Sequence, residues 1–175
     1  MFHSPGKDMK IGILLFEKGL KTTIKILDFN RFEMKGVVPK LDHNNEYFYS
    51  YGDFYFLAWK NINNLCLYTW NKYDQLVPII CNLSSYDSRT GKCSFVLNPH
   101  MYGLIYVNLK SHGKRARTQI SYDNGKTFVP VTYHGSEFWC LEYSCGVEYN
   151  LGCSASDIRN HFPEPWIVKF KGTIH

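Results

Sequence analysis

The residues that most invite chemistry in this chain are its six cysteines, Cys66, Cys81, Cys93, Cys140, Cys145 and Cys153. The last three follow one another as C-x4-C-x7-C, with His134 and His161 close by in sequence, so sulfur and nitrogen ligands for zinc are within reach. A zinc ribbon, however, is built from paired knuckles of closely spaced cysteines, which this spacing lacks. An even number of cysteines permits a disulfide framework, whose connectivity a sequence does not reveal. Asn82-Leu83-Ser84 is a glycosylation sequon, and together with the cysteines it points to the secretory pathway. Lys110, His112, Lys114, Arg115 and Arg117 form the most basic stretch, which reads either as a patch for phosphate or an acidic peptide or as solvated hairpin charge. The aromatic run from Tyr47 to Trp59 reads either as a stacking surface for bases or sugars or as the inward faces of neighbouring strands. No nucleophile elbow, no His-Glu-x-x-His and no phosphate-cradling glycine loop occurs. No catalytic residue, metal site or cofactor is expected.

Ser121 to Phe128, SYDNGKTF, fits Ser-x-Asp-x-Gly-x-Thr-aromatic, the Asp box. Its chemistry is local. Asp123 opens a tight turn in which its carboxylate can accept backbone N–H groups that follow. Asn124-Gly125 supplies the positive φ that such a turn requires. Ser121 can hydrogen-bond within the turn, Thr127 resumes the strand, and Phe128 alternates inward beneath it. Asp123 is therefore read as a folding residue and not as a catalytic acid. A looser copy lies at Ser85, Asp87, Gly91, Lys92 and Phe95; no function is assigned to it.

The elements that must hold these residues are strands. Apolar runs of strand length recur at 11–16, 22–27, 45–51, 54–59, 65–70, 94–97, 103–109, 117–122 and 165–170, separated by turn clusters. No segment reads as an amphipathic helix longer than two turns, so the fold class is all-β. Residues 11–39, 54–78 and 103–130 also repeat one pattern: apolar strand, polar hairpin, second strand, tight turn and a Val-Pro exit. Asn71 and Asp123 take equivalent places 52 residues apart. A period of roughly 40–50 residues with about four strands is the mark of β-propeller blades.

Composition agrees. Hydrophobic residues are 45% and aromatics 17% of 175 residues, enough for a packed core and favourable to strands. The net charge of +5 is too slight to argue for nucleic acid. No apolar run is long enough to span a membrane, and the short run 11–16 does not make a signal peptide. A secretory chain without that leader suggests a piece of a longer protein.

The third unit, GLIYVNLKSHGKRARTQISYDNGKTFVPV, resembles the late blades of the ten-bladed propeller of sortilin-type sorting receptors, the vacuolar protein-sorting receptor family. Thr118, Ile120, Ser121, Asp123, Gly125 and Phe128 match the strand and box in order. Cys140, Cys145 and Cys153 follow in a loop, and Pro163-Glu164-Pro165 precedes WIVKFKGTIH. The likeness is clearest over 94–175; Phe128 stands where Trp is commoner, and the first two boxes are eroded. The resemblance implies one segment, 1–175, of consecutive four-stranded antiparallel blades in an incomplete ring, with a cysteine-containing loop at 134–164 and the start of a further blade at 165–175. It favours a disulfide between Cys140 and Cys153, with Cys81 and Cys93 as the next pair. It implies part of a luminal or extracellular receptor domain that binds protein or peptide cargo for Golgi–endosome traffic. The partners would be that cargo and the rest of the propeller, with no nucleic acid and a membrane met only through a segment absent from this chain. Sialidases also carry Asp boxes and are the enzymatic alternative, but a glycosidase needs paired acidic groups, or a tyrosine nucleophile with its carboxylate, in one cleft. No such set can be assembled here. A free-standing β domain binding anionic partners through 110–117 is the third possibility.

Overall fold

A computed structural model describes residues 2–3, 10–17, 21–28, 33–35, 47–70, 76–84, 90–110, 116–134 and 145–175, with backbone alone up to residue 49 and at residue 76. Expectations placed on Asn71, Ser85, Asp87, His112, Lys114, Arg115 and Cys140 lie outside the described residues. The chain divides into two compact units, residues 1–79 and 80–175.

Strands of the first unit form antiparallel meanders in sequence order. β1 (Phe2–His3), β2 (Lys10–Glu17), β3 (Lys21–Asp28) and β4 (Glu33–Lys35) make one four-stranded sheet. β5 (Tyr47–Ser50), β6 (Asp53–Asn61), β7 (Asn64–Trp70) and β8 (Leu76–Cys81) make the next. Tyr51 and Gly52, both at positive φ, join β5 to β6 where Ser50 pairs with Asp53. Positive φ at both central residues matches the right-handed twist of a hairpin. The runs FYFLAW and LCLYTW are apolar without alternation, and accordingly β7 is buried continuously from Leu65 to Trp70, on both faces. Phe56 stacks on Tyr68 across the β6–β7 pair, with ring centroids 6.0 Å apart.

The second unit repeats the pattern. β9 (Phe95–Leu97), β10 (Ile105–Lys110), β11 (Ala116–Ser121) and β12 (Val129–Pro130) form a third four-stranded sheet in sequence order. β13 (Thr132–Tyr133), β14 (Cys145–Tyr149) and β15 (Gly172–Ile174) form a three-stranded one. Between β14 and β15 lies one short helix, α1 (Ala155–His161). Ser154 caps it by accepting the Asp157 N–H at 3.1 Å, and Asp157 in its first turn and Arg159 in its last each carry a sign suited to the helix dipole. Val96, Leu104, Tyr106, Leu151 and Phe162 form the core, with Ile120, Tyr149, Ile158 and Phe170 packed against it.

The chain is thus all-β in antiparallel sheets, with little helix. The strand expected at 165–170 is not formed. Pro163 and Pro165 lack the N–H groups a ladder needs; a turn closes from Glu164 to Ile167 instead, and the strand begins at Gly172. The segment 134–164, read as a loop, contains β14 and α1. No helix among the described residues is long and apolar enough to cross a membrane.

Candidate functional site

The turn Ser121–Phe128 joins β11 to β12, the third and fourth strands of their sheet. Ser121, fully buried at the end of β11, is its hub. Its hydroxyl donates to Asp123 Oδ1 at 2.8 Å and accepts the Gly125 N–H at 2.7 Å. Asp123 accepts the Thr127 N–H on Oδ1 at 2.9 Å and the Thr127 hydroxyl on Oδ2 at 2.7 Å. Asn124 and Gly125 lie at φ 60° and 83°. The turn leans on β10's approach: the Asn124 N–H donates to Gly103 O at 3.0 Å. A Cβ at Gly103, itself at φ 81°, would come within 2.8 Å of the Asn124 nitrogen. Only glycine allows that approach. Thr118, two strand positions before Ile120, is fully buried and bonded to Asn108. Phe128 is half-buried.

The Thr127 hydroxyl and N–H, with Ser121, hold the Asp123 carboxyl down to about 2 from its ordinary 3.8. A carboxyl depressed in the fold contributes stability that is present above its unfolded pKa and lost as pH falls through the folded one. Asp123→Ala is therefore expected to lower the urea midpoint at neutral pH, with the gap to the parent protein narrowing between about pH 4 and pH 2. Urea titrations at several pH values measure this. Equal midpoints at neutral pH, or a gap that persists undiminished toward pH 2, would refute the role of the carboxylate.

The cysteines pair differently from either expected pairing. Cys93 is bonded to Cys153, with Cα atoms 5.9 Å apart, so neither Cys140–Cys153 nor Cys81–Cys93 forms. The cause is strand register. Lys92 bridges Gly152, and the Cys93 N–H donates to Leu151 O at 2.6 Å, bringing the two segments side by side. Cys66, Cys81 and Cys145 are also disulfide-bonded. His161 donates from Nδ1 to Lys169 O at 3.0 Å and accepts the Gly152 N–H on Nε2 at 3.1 Å, so both ring nitrogens are occupied. Among the described residues no cluster of three or more His, Cys, Asp or Glu is placed to hold a metal ion.

Asn82 is exposed at φ 67°, and its carbonyl accepts the Lys110 N–H at 2.9 Å. Leu83 is buried and bridges Leu109, so the sequon lies along the end of β10, where the exposed Asn82 side chain donates from Nδ2 to Lys110 O at 3.4 Å. Of the basic run, Lys110 ends β10, and Arg117 lies over Gly146, where a Cβ would meet its Nε at 2.8 Å. Tyr55 and Phe56, from the aromatic run, are core residues.

Sequence reasoning missed a cleft in the second unit, lined by Lys92, Asn150, Asn160, Lys169 and Lys171 among others. Its residues come from four separate segments, and the one local signal was the Lys-Phe-Lys alternation at 169–171 with Phe170 packed inward. No protein-family profile matches the chain, and no curated protein matches it.

Proposed function

We propose that the chain is a segment of a β-propeller in the luminal or extracellular domain of a sortilin-like sorting receptor, where it contributes to binding peptide or protein cargo. The observation that carries this is the third sheet: a four-stranded antiparallel meander whose third and fourth strands are joined by the Ser121–Thr127 hydrogen-bonded turn. That is the place an Asp box takes in a propeller blade. Two earlier four-stranded meanders in sequence order support it, as does the continuous burial of β7, since a blade must be covered on both faces. The Cys93–Cys153 bond and the exposed Asn82 suit an oxidising, glycosylating compartment. The remaining blades and the cargo are its partners, and its mechanism is capture and release.

The test is expression of the complete gene product in a eukaryotic cell. Expected are co-fractionation with Golgi and endosomal membranes, glycan on Asn82 that is lost in Asn82→Gln, no free thiols, and selection of soluble peptides from a display library. A cytosolic product with reduced cysteines and no glycan would overturn the assignment, as would hydrolysis of a fluorogenic glycoside.

A further inference from the structure

Residues 90–92, 150–152, α1 and 169–171 enclose a cleft of about 680 Å³, a size that takes a small ligand or a few residues of peptide. Its walls are tied together. The Cys93–Cys153 bond and the Lys92–Gly152 bridge fix one side. On the other, His161 holds Gly152 and the Lys169 carbonyl, the Lys169 N–H donates to His161 O at 2.8 Å, and the Asn150 N–H donates to Lys171 O at 2.8 Å. A site already ordered loses little freedom on binding.

The lining is cationic. Among the described lining residues, Lys92, Lys169 and Lys171 stand beside one acid, Asp157, whose Oδ2 already accepts the Ser154 hydroxyl at 2.5 Å. Lys92 is ion-paired with Glu148, which also accepts the Ala116 N–H and touches His175. Lys169 and Lys171 are exposed and have no ion-pair partner among the described residues, so the uncompensated charge is theirs. Asn150 and Asn160, both exposed, add amide donors and acceptors at the rim.

The aromatic in the cleft narrows the ligand. Phe170 is packed against Tyr106, Tyr149, His161 and Phe162, with centroids at 4.9, 5.0, 4.6 and 5.6 Å. One face is stacked on Tyr149 and the half-buried ring has three further aromatic neighbours, so it is less open to stacking by a sugar or base than a free ring. Among the described residues no arginine fork lines the cleft, and lysines act as point charges suited to side-chain carboxylates. The geometry points to this cleft as a binding site for an acidic peptide segment: its carboxylates meet Lys169 and Lys171, and its backbone amides meet Asn150 and Asn160. The site holds whether or not the chain belongs to a sorting receptor.

Fluorescence anisotropy with the full chain tests it, using a short labelled Asp/Glu-rich peptide and its Asn/Gln counterpart. The acidic peptide is expected to bind about tenfold more tightly than the amide peptide, and less tightly as salt rises. K169E/K171E should weaken it by about tenfold, and the milder K169Q/K171Q by less. The single reversals K169E and K171E should each weaken binding by about threefold, and R159E, on α1 but outside the lining, is their matched charge control and should change it by less than about twofold. Circular dichroism confirms that each variant retains its β signal. Equal affinity for the two peptides, equal effects of R159E and the single reversals K169E and K171E, or tight binding of inorganic phosphate that the acidic peptide fails to displace would each overturn the proposal.

Discussion

Replacing Cys93 and Cys153 together by serine is expected to destabilise the second unit by about 4 kcal/mol, the entropy an unfolded chain regains when a loop of this length is opened. The two cysteines are 60 residues apart, and their bond closes a loop that contains β9 to β14 and ends just before α1. It therefore ties the third sheet to the segment that leads into the helix, at a point where Cys93 is buried and Leu151 is in the core. Serine at the buried Cys93 adds a hydroxyl that must be desolvated, so the same pair changed to alanine is measured alongside and the loss common to both reports the crosslink. The double replacement also leaves neither partner as a stray thiol. Urea unfolding of parent and variant, followed by Tyr and Trp fluorescence, measures it. An unchanged midpoint would remove the bond from the stability of the fold. Peptide mapping without reduction supplies an independent check, because Cys153 linked to Cys140 would disprove the register that brings residues 92–93 beside 151–153.

That pairing shows where sequence stops being informative. The long strands were legible because their apolar runs are continuous: β2, β3, β6, β7, β10 and β11 each fall within a few residues of their expected places. The turn at 121–128 was legible because its geometry is set by neighbours within four residues, Ser121, Asp123, Gly125 and Thr127. What was missed is short or set from a distance. β8 contains Pro78, which argues against a strand, and β12 and β13 have two residues each. α1 is seven residues long and announced only by the Ser154–Asp157 cap. Apolar character misled at 165–170, where Trp166 is 79% exposed. Cysteine pairing and the cationic cleft both depend on which distant segments lie side by side, information carried by register and not by local pattern.

Thr118→Val is expected to cost about 3 kcal/mol, although the substitution conserves shape and replaces a polar group by a methyl in the core. Thr118 and Asn108 are both fully buried and directly opposite across β10 and β11. The Thr118 hydroxyl donates to Asn108 Oδ1 at 2.7 Å and accepts the Tyr149 N–H at 2.7 Å. Asn108 Nδ2 donates to Tyr149 O at 2.9 Å. These three bonds satisfy both polar groups of the Tyr149 backbone on the third sheet, so β14 is fastened to β10 and β11 by polar pins as well as by packing. Valine strands two groups at once, the buried Asn108 Oδ1 and the part-buried Tyr149 N–H, and a buried unsatisfied group costs about 1–3 kcal/mol. Thr118→Ser keeps the hydroxyl and loses one methyl, for about 1 kcal/mol. The contrast between the two variants isolates the hydroxyl from the volume it fills. Asn108→Ala should couple to Thr118→Val by more than about 1 kcal/mol in a double-mutant cycle, because the two side chains share a bond. Denaturation midpoints of the four proteins give the cycle. Equal losses for valine and serine, or additive effects of the Thr118 and Asn108 changes, would mean that packing alone holds β14 to the third sheet.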